Sequence, residues 1–246
     1  MTTLTSQQNE HDAQASKAFF DRWHIYLQII KSDYMAHQGI HARLRQSLMT
    51  SYTKPFTMLD LGCGDALFMA STLKDLPIRS YLGVDLSPVA LDKACENLRD
   101  LSCEKPFIQA DFVEYLEGSD PVPFDVIVAG FSMHHLHPAE KEVFFRACNS
   151  WLTDIGELFV YDIFRRDGES RGEYLVNYIE NCNRNWGSLC TDALAILKDH
   201  IIKCDYPETY ADFVRLANVA GLTAAPDPVY ADDNRFHCLC RLQKHR

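Results

Sequence analysis

The sequence predicts a doubly wound α/β fold, a mostly parallel sheet with helices on both faces. Three observations predict it. Apolar runs of strand length alternate with helical stretches through the middle of the chain, which is the rhythm of successive βαβ units. Four of those runs end in an acid or a small residue, at the sheet edge where open α/β folds bind ligands. The first of them passes at once into a tight turn, Gly62-Cys63-Gly64, where glycine lets the backbone bend sharply with no Cβ in the way.

Taken in order, the chain opens on a polar stretch, Met1 to Glu10, without the apolar core of a secretion signal. Residues 1–52 read as an N-terminal helical lid, the first ~14 of them disordered. One helix is expected from Ala15 to Tyr52, because Trp23, Tyr26, Ile30, Tyr34, His37, His41 and Leu44 recur at three- and four-residue steps and share a face. That face is polar for a core face, and buried Tyr and His need partners. Packing on the main domain is one reading of it; contact with a ligand is the other.

Residues 53–163 form the α/β core, with strands near 56–61, 80–85, 105–110, 123–129 and 156–163. Helices are expected near 65–75, 88–101, 138–153 and 207–220. Ser87-Pro88 reads as a cap followed by proline at the first helical position. Residues 164–206 break the rhythm and read as a helical insert over the ligand edge, carrying Tyr174, Tyr178, Trp186 and His200; packing or dimerisation is its plainer role. Residues 207–246 supply a helix and a β-hairpin around Asp232-Asp233-Asn234 that completes the core.

Bulk properties narrow the function. A net charge of −10 argues against nucleic acid and anionic membrane as partners, since both are bound through basic patches. No apolar run is long enough to span a bilayer. Nine cysteines, an odd number without a regular framework, suit a reduced, cytoplasmic protein. His134, His135 and His137 form an H-H-x-H cluster, but no matching ligand pair stands out, and no metal site is assigned.

The strand ends carry the chemistry. Asp60 precedes the glycine turn and Asp65 follows it; Asp85, Leu86 and Ser87 end the second strand. A carboxylate about 20 residues beyond a glycine turn suits bidentate binding of two ribose hydroxyls. Asp111 and Phe112 end the third strand, where an acid can accept from an adenine amino group and a ring can pack on the base. Gly130 ends the fourth, ahead of the polar, aromatic loop Phe131 to Leu136.

This set resembles the class I S-adenosylmethionine-dependent methyltransferases, over roughly residues 56–163 and with a family-like C-terminal hairpin. The resemblance implies a Rossmann-like, seven-stranded sheet with an antiparallel last strand and helical lid elements. It implies S-adenosylmethionine as cofactor. Asp60, Gly62 and Gly64 would cradle its methionine part, and Asp65 and Gly130 are further cofactor-binding candidates. Asp85 would hold the ribose and Asp111 cap the adenine, with Leu86, Ser87 and Phe112 as further cofactor-binding candidates. Ala66 departs from the family pattern, which often has glycine there. A dinucleotide site fits less well: it wants G-x-G-x-x-G, whereas Leu67 occupies the third position and Asp65 would face a pyrophosphate.

Methyl transfer needs alignment above all, and a base only for an acceptor that is protonated at neutral pH. His134 and His135 are the catalytic candidates; a histidine near this position recurs in the family, in several members as a cofactor contact. Tyr26, Tyr34, His37, Asp162, Arg165 and Tyr178 are candidate substrate contacts, Asp162 for a cationic group and Arg165 for a carboxylate. An aromatic, histidine-rich lid suits a small-molecule acceptor. A protein- or RNA-modifying methyltransferase and a non-catalytic cofactor-binding scaffold are the alternatives.

Overall fold

A computed structural model describes residues 23–245. The expected disordered lead-in and the first residues of the expected N-terminal helix lie outside the described residues. Within them that helix is two: α1, Trp23–Lys31, and α2, His37–Ser51. The break falls where Asp33 and Ala36 take left-handed backbone, φ 52° and 55°. The Asp33 carboxylate then accepts from Gln38 N at 3.1 Å and starts the second helix afresh. The expected stripe survives on α2, where His37, Ile40, His41, Leu44 and Leu48 are buried.

The core comprises β1 (Phe56–Leu61), α3 (Leu67–Leu73), β2 (Ile78–Asp85), α4 (Pro88–Asn97) and β3 (Phe107–Gln109). Next come α5 (Phe112–Gly118), β4 (Phe124–Gly130), a 3-10 turn (Met133–His135), α6 (Pro138–Trp151) and β5 (Leu152–Ile163). Helix α5 is an element beyond those expected; it is two turns long, and Asp111 caps it by accepting from Val113 N and Glu114 N at 2.8 and 3.1 Å. After β5 come α7 (Arg171–Asn185), α8 (Thr191–Cys204), α9 (Tyr210–Val219), β6 (Leu222–Ala224), β7 (Tyr230–Ala231) and β8 (His237–Lys244).

The sheet order is β3-β2-β1-β4-β5-β8-β6. Strands β1 to β5 pair in parallel, and β8 runs antiparallel to β5. This is the expected Rossmann-like architecture, a mostly parallel sheet with an antiparallel last strand. The two-residue β7 also pairs with β8, making eight strands where seven are expected. Order reverses between β1 and β4, the switch point beside which such sheets open a ligand crevice.

Buried residues Val126, Ile127, Val128 and Ala129 make β4 apolar on both faces, as a strand between two helical layers must be. One layer packs Phe144, Phe145, Trp151 and Phe213 on the sheet; the other packs Ile40, Leu44, Met69 and Ala94. A third cluster joins α1 to α7 and α8 through Ile25, Ile29, Tyr174, Tyr178, Trp186 and Ile201. It holds these helices over the carboxyl edge of the sheet. No described helix is long and apolar enough to cross a membrane.

Candidate active site

The strand ends and the roof enclose a cavity of about 690 Å³. Its floor starts at β1. Asp60 is 2% exposed, and its carboxylate accepts from the Tyr81 hydroxyl at 2.6 Å. Burial pushes its pKa up to about 7, Tyr81 opposing and the Asp85 charge adding to the rise. The glycine turn is pinned to β2, because Gly62 N and Cys63 N both donate to Val84 O, at 2.8 and 3.1 Å.

Gly62 and Gly64 have φ 67° and 52°. A Cβ on Gly62 would stand 2.8 Å from Ser132 Cβ, whereas one on Gly64 would meet only the Tyr26 hydroxyl, at 3.9 Å. The first glycine is demanded by packing and the second leaves room above the turn. Ala66 has φ 50°, the conformation for which glycine is the easier residue. Asp65 accepts from the Tyr26 hydroxyl at 3.1 Å and from Leu67 N at 3.3 Å, so helix α1 is fastened onto the turn.

At the end of β2, Asp85 accepts from Gly64 N and Ser87 N, both at 2.8 Å. Burial raises its pKa, and those backbone donors oppose the rise. Each of its oxygens keeps acceptor capacity toward the cavity. Leu86 and Phe112 line the cavity with it, and so does Asp111, one of whose oxygens is spent on the α5 cap. Gly130 is required by Tyr161, whose ring would come within 2.0 Å of an added Cβ. Phe131 then adopts φ 47°, a strained conformation for a bulky residue, and donates from its N–H to Tyr161 O at 2.8 Å.

Beyond Phe131 the cavity becomes polar and buried. Asp162 is 0% exposed and sits behind His134. One carboxylate oxygen accepts from His134 N at 2.9 Å; the other pairs with His134 Nδ1 and accepts from Ile163 N at 2.7 Å. This leaves His134 Nε2 on the side of Asp205, 3.8 Å from Asp205 Oδ1. Burial alone would lower the His134 pKa, but the Asp162 and Asp205 carboxylates outweigh it and raise it. His135 Nδ1 lies 3.1 Å from Cys204 O, and its ring stands 5.1 Å from that of His200. Burial holds His135 well below the usual imidazole range and brings His200 to about 3, the His134 charge adding to both shifts.

Asp205 is 1% exposed. Tyr174 donates to one of its oxygens at 3.2 Å, while Oδ1 has no hydrogen-bond partner among the described residues. Burial raises its pKa to about 6, against the pull of His134 and Tyr174. Neither Asp205 nor its closeness to the histidine pair is visible in the sequence. It lies 71 and 70 residues beyond His134 and His135 (205 − 134 and 205 − 135), at the end of the insert, and no local spacing marks it.

Three candidates are elsewhere than expected. Tyr34 stacks on Trp186 at 5.0 Å, and its hydroxyl bonds to Ser188, on the outside of the roof. The Arg165 guanidinium donates to Pro207 O at 2.6 Å and pairs with Glu208, tying down the start of the insert. Asp162 lies behind the cavity wall rather than in it, its oxygens taken by His134 and the backbone. Tyr26, His37 and Tyr178 do line the cavity. His137 caps α6 with Glu140 rather than joining the other two histidines at Asp205.

Residues 59–158 match the family model of a methyltransferase domain. The ribosomal protein L11 methyltransferase of Thermosipho africanus is 31% identical over 108 residues, which are 43% of this chain and 40% of that protein. The chain thus spans well under half the length of that relative. Among solved structures, the 1,6-didemethyltoxoflavin-N1-methyltransferase of Burkholderia thailandensis, bound to 1,6-didemethyltoxoflavin and S-adenosylhomocysteine, is similar over 96% of this chain and 90% of its own, with a TM-score of 0.65 and 18% identity. The plantazolicin methyltransferase BpumL, in complex with S-adenosylhomocysteine, is similar over 98% and 97%, with a TM-score of 0.65 and 15% identity.

Proposed function

We propose that this chain, built around the methyltransferase domain at residues 59–158, transfers the methyl group of S-adenosylmethionine to a small-molecule acceptor. One observation carries the reading. Asp60, Gly64, Asp85 and Asp111 converge at one sheet edge, in the same cavity as His134, His135 and Asp205.

The residues fit the cofactor. The open space over Gly64 admits a ligand where any side chain would stand. Asp85 has acceptor capacity left for two ribose hydroxyls. Leu86 and Phe112 offer apolar surface for a planar base, with Asp111 at its edge. Asp60 would face the methionine ammonium, where a positive charge favours the ionised carboxylate.

When bound, S-adenosylmethionine supplies a methyl group already activated on a sulfonium. The protein's task is alignment, worth at best roughly 7–11 kcal/mol of the barrier. Helices α1, α7 and α8 roof the edge, and the Tyr26–Asp65 bond anchors the first of them. Phe131, held on the Tyr161 carbonyl, shapes the passage between the glycine turn and the histidines. Asp162 fixes the His134 ring, and His134 with His135 stands at the acceptor end of the cavity, where the acceptor loses its proton.

The volume and the helical roof favour a small acceptor over a protein side chain. The test is calorimetric titration with S-adenosylmethionine and S-adenosylhomocysteine, followed by methyl uptake from fractionated metabolites and from total protein. One-to-one binding with label in the metabolite pool is expected. Label in protein alone would move the acceptor to a polypeptide, and no binding by folded, ligand-free protein would end the reading.

A further inference from the structure

We propose that His134, His135 and Asp205 bind one divalent first-row cation, Zn²⁺ by the chemistry of the set, at the acceptor end of the cavity. Its role in catalysis rests on the methyl-transfer reading above; its binding does not.

The donors are gathered for it. One nitrogen of each imidazole and one Asp205 carboxylate oxygen lie within 4.8 Å of one another. His134 Nε2 is 3.8 Å from Asp205 Oδ1. Ligand atoms around a tetrahedral zinc stand about 3.3 Å apart, so small side-chain movements close the set. The 3.8 Å separation is too long for a hydrogen bond. An imidazolium bridging the two acids would therefore leave Asp205 Oδ1 as it stands, a buried carboxylate oxygen with no hydrogen-bond donor. Such an oxygen is costly to bury, and a cation satisfies it.

The surroundings prepare the ligands as metal sites do. Asp162 faces His134 Nδ1 and is itself held by His134 N and Ile163 N. The His134 lone pair is thereby placed on Nε2, the nitrogen turned to Asp205. This is the carboxylate–histidine–metal arrangement that sets tautomer and ring orientation. His135 Nδ1 faces a carbonyl, Cys204 O, and so carries the hydrogen, which leaves the lone pair on Nε2. Tyr174 steadies the far oxygen of Asp205. Two imidazoles and a carboxylate suit zinc or iron(II) far better than magnesium or calcium.

Three protein ligands leave a position open, as in catalytic rather than structural zinc sites, and all three residues line the cavity. An acceptor O–H or N–H entering that position gives up its proton to solvent near neutral pH. The lone pair so exposed attacks the methyl carbon; the C–S bond breaks and its electron pair stays on sulfur.

The test uses the untagged full chain, stripped with a chelator and titrated with Zn²⁺ against a competing chromophoric chelator. Co²⁺ is then added alone and its visible spectrum recorded. One Zn²⁺ per chain at micromolar affinity or tighter, and Co²⁺ bands of a four- or five-coordinate N/O site, are expected. Asp205→Asn and Asp162→Asn should each weaken Zn²⁺ by about 10–100-fold, while Asp85→Ala and the His37→Gln/His41→Gln pair leave it unchanged. The wild-type titration decides the matter even where a variant misfolds. Absence of a stoichiometric site, or its loss with His37 and His41 instead, would overturn the proposal. S-adenosylhomocysteine is titrated separately: binding of nucleoside without metal sinks the metal site alone, and metal without nucleoside sinks the cofactor reading alone.

Discussion

The backbone N–H of Gly64 donates to the carboxylate of Asp85 at 2.8 Å. The turn after β1 and the acid ending β2 are thus one unit, and each fixes the other for a ligand lying across both strands. Asp85→Ala removes the acceptor for Gly64 N and Ser87 N and, on the proposed reading, both ribose contacts. Charge-assisted hydrogen bonds of this kind contribute roughly 1.5–3 kcal/mol each. Affinity for S-adenosylhomocysteine should fall by about 10²-fold or more. Calorimetric titration of the folded variant measures it, and an unchanged affinity would remove the ribose assignment.

The two glycines of the turn should respond differently. Both need left-handed backbone, which costs an alanine roughly 1–2 kcal/mol. Gly62→Ala also drives a methyl into Ser132, for a total of roughly 2–5 kcal/mol, seen as a lower denaturant midpoint. Gly64→Ala meets open space and should stay within about 2 kcal/mol of wild type. Its loss should appear as weaker nucleoside binding. Equal destabilisation by both would contradict the packing difference at the turn.

Ligand affinity should depend on pH through Asp60, whose pKa burial raises to about 7. The ionised carboxylate is the form that pairs with the methionine ammonium. S-adenosylhomocysteine affinity should therefore rise between pH 6 and pH 8 by up to about tenfold, with proton release visible as a buffer-dependent heat. Asp60→Asn should flatten the profile. A flat wild-type profile would separate Asp60 from the ammonium.

The strand ends are legible because each is local: acid, turn and helix start lie within ten residues, and backbone sterics decide the path between them. The helix break at Asp33 is hidden because nothing in the periodicity signals two left-handed residues. Helix α5 is too short for periodicity to show, although Asp111 with an apolar run after it is a cap signal. Asp205 is out of reach for another reason. It meets His134 only because the insert folds back over the sheet edge, held by the Tyr174, Trp186 and Ile201 cluster. Tyr34 shows the converse error: it keeps the periodic spacing, but the break turns it outward onto Trp186.

Acid should destabilise the protein through His37 and His41, which are nearly fully buried. Burial lowers both to about 3 from an ordinary value near 6.5. Below pH 6.5 the unfolded chain binds their protons and the folded chain does not, so stability is lost as pH falls from 6.5 toward 3. Each histidine contributes roughly 2–3 kcal/mol of that loss by pH 4. Asp60 acts in the opposite sense, because the folded state holds its proton up to about pH 7. His41→Gln keeps a polar partner for Thr72, whose hydroxyl is 2.8 Å from His41 Nδ1, and removes one titration. Its denaturant midpoint should fall less between pH 7 and pH 4 than that of wild type; parallel profiles would mean that His41 takes up its proton without unfolding.

Asp162→Asn separates the acceptor end from the nucleoside end. The carboxylate lies behind the cavity wall and touches His134 rather than a ligand, so it is a positioning residue. An asparagine keeps the volume but has one acceptor oxygen for two backbone N–H groups. An NH₂ turned toward His134 would instead force the lone pair onto Nδ1 and leave a hydrogen on Nε2, the nitrogen turned to Asp205. Either arrangement spoils His134 for holding an ionised acceptor. Stability should fall by roughly 1–3 kcal/mol, and S-adenosylhomocysteine should bind as before because no nucleoside contact is altered. Turnover at saturating cofactor should drop by about 10²-fold or more, given the contribution expected of a lost proton-handling group. Parallel measurement of Kd and kcat makes the distinction. Loss of nucleoside affinity together with turnover would make Asp162 a structural brace of the whole edge, whereas loss of turnover alone assigns it to the ring it holds.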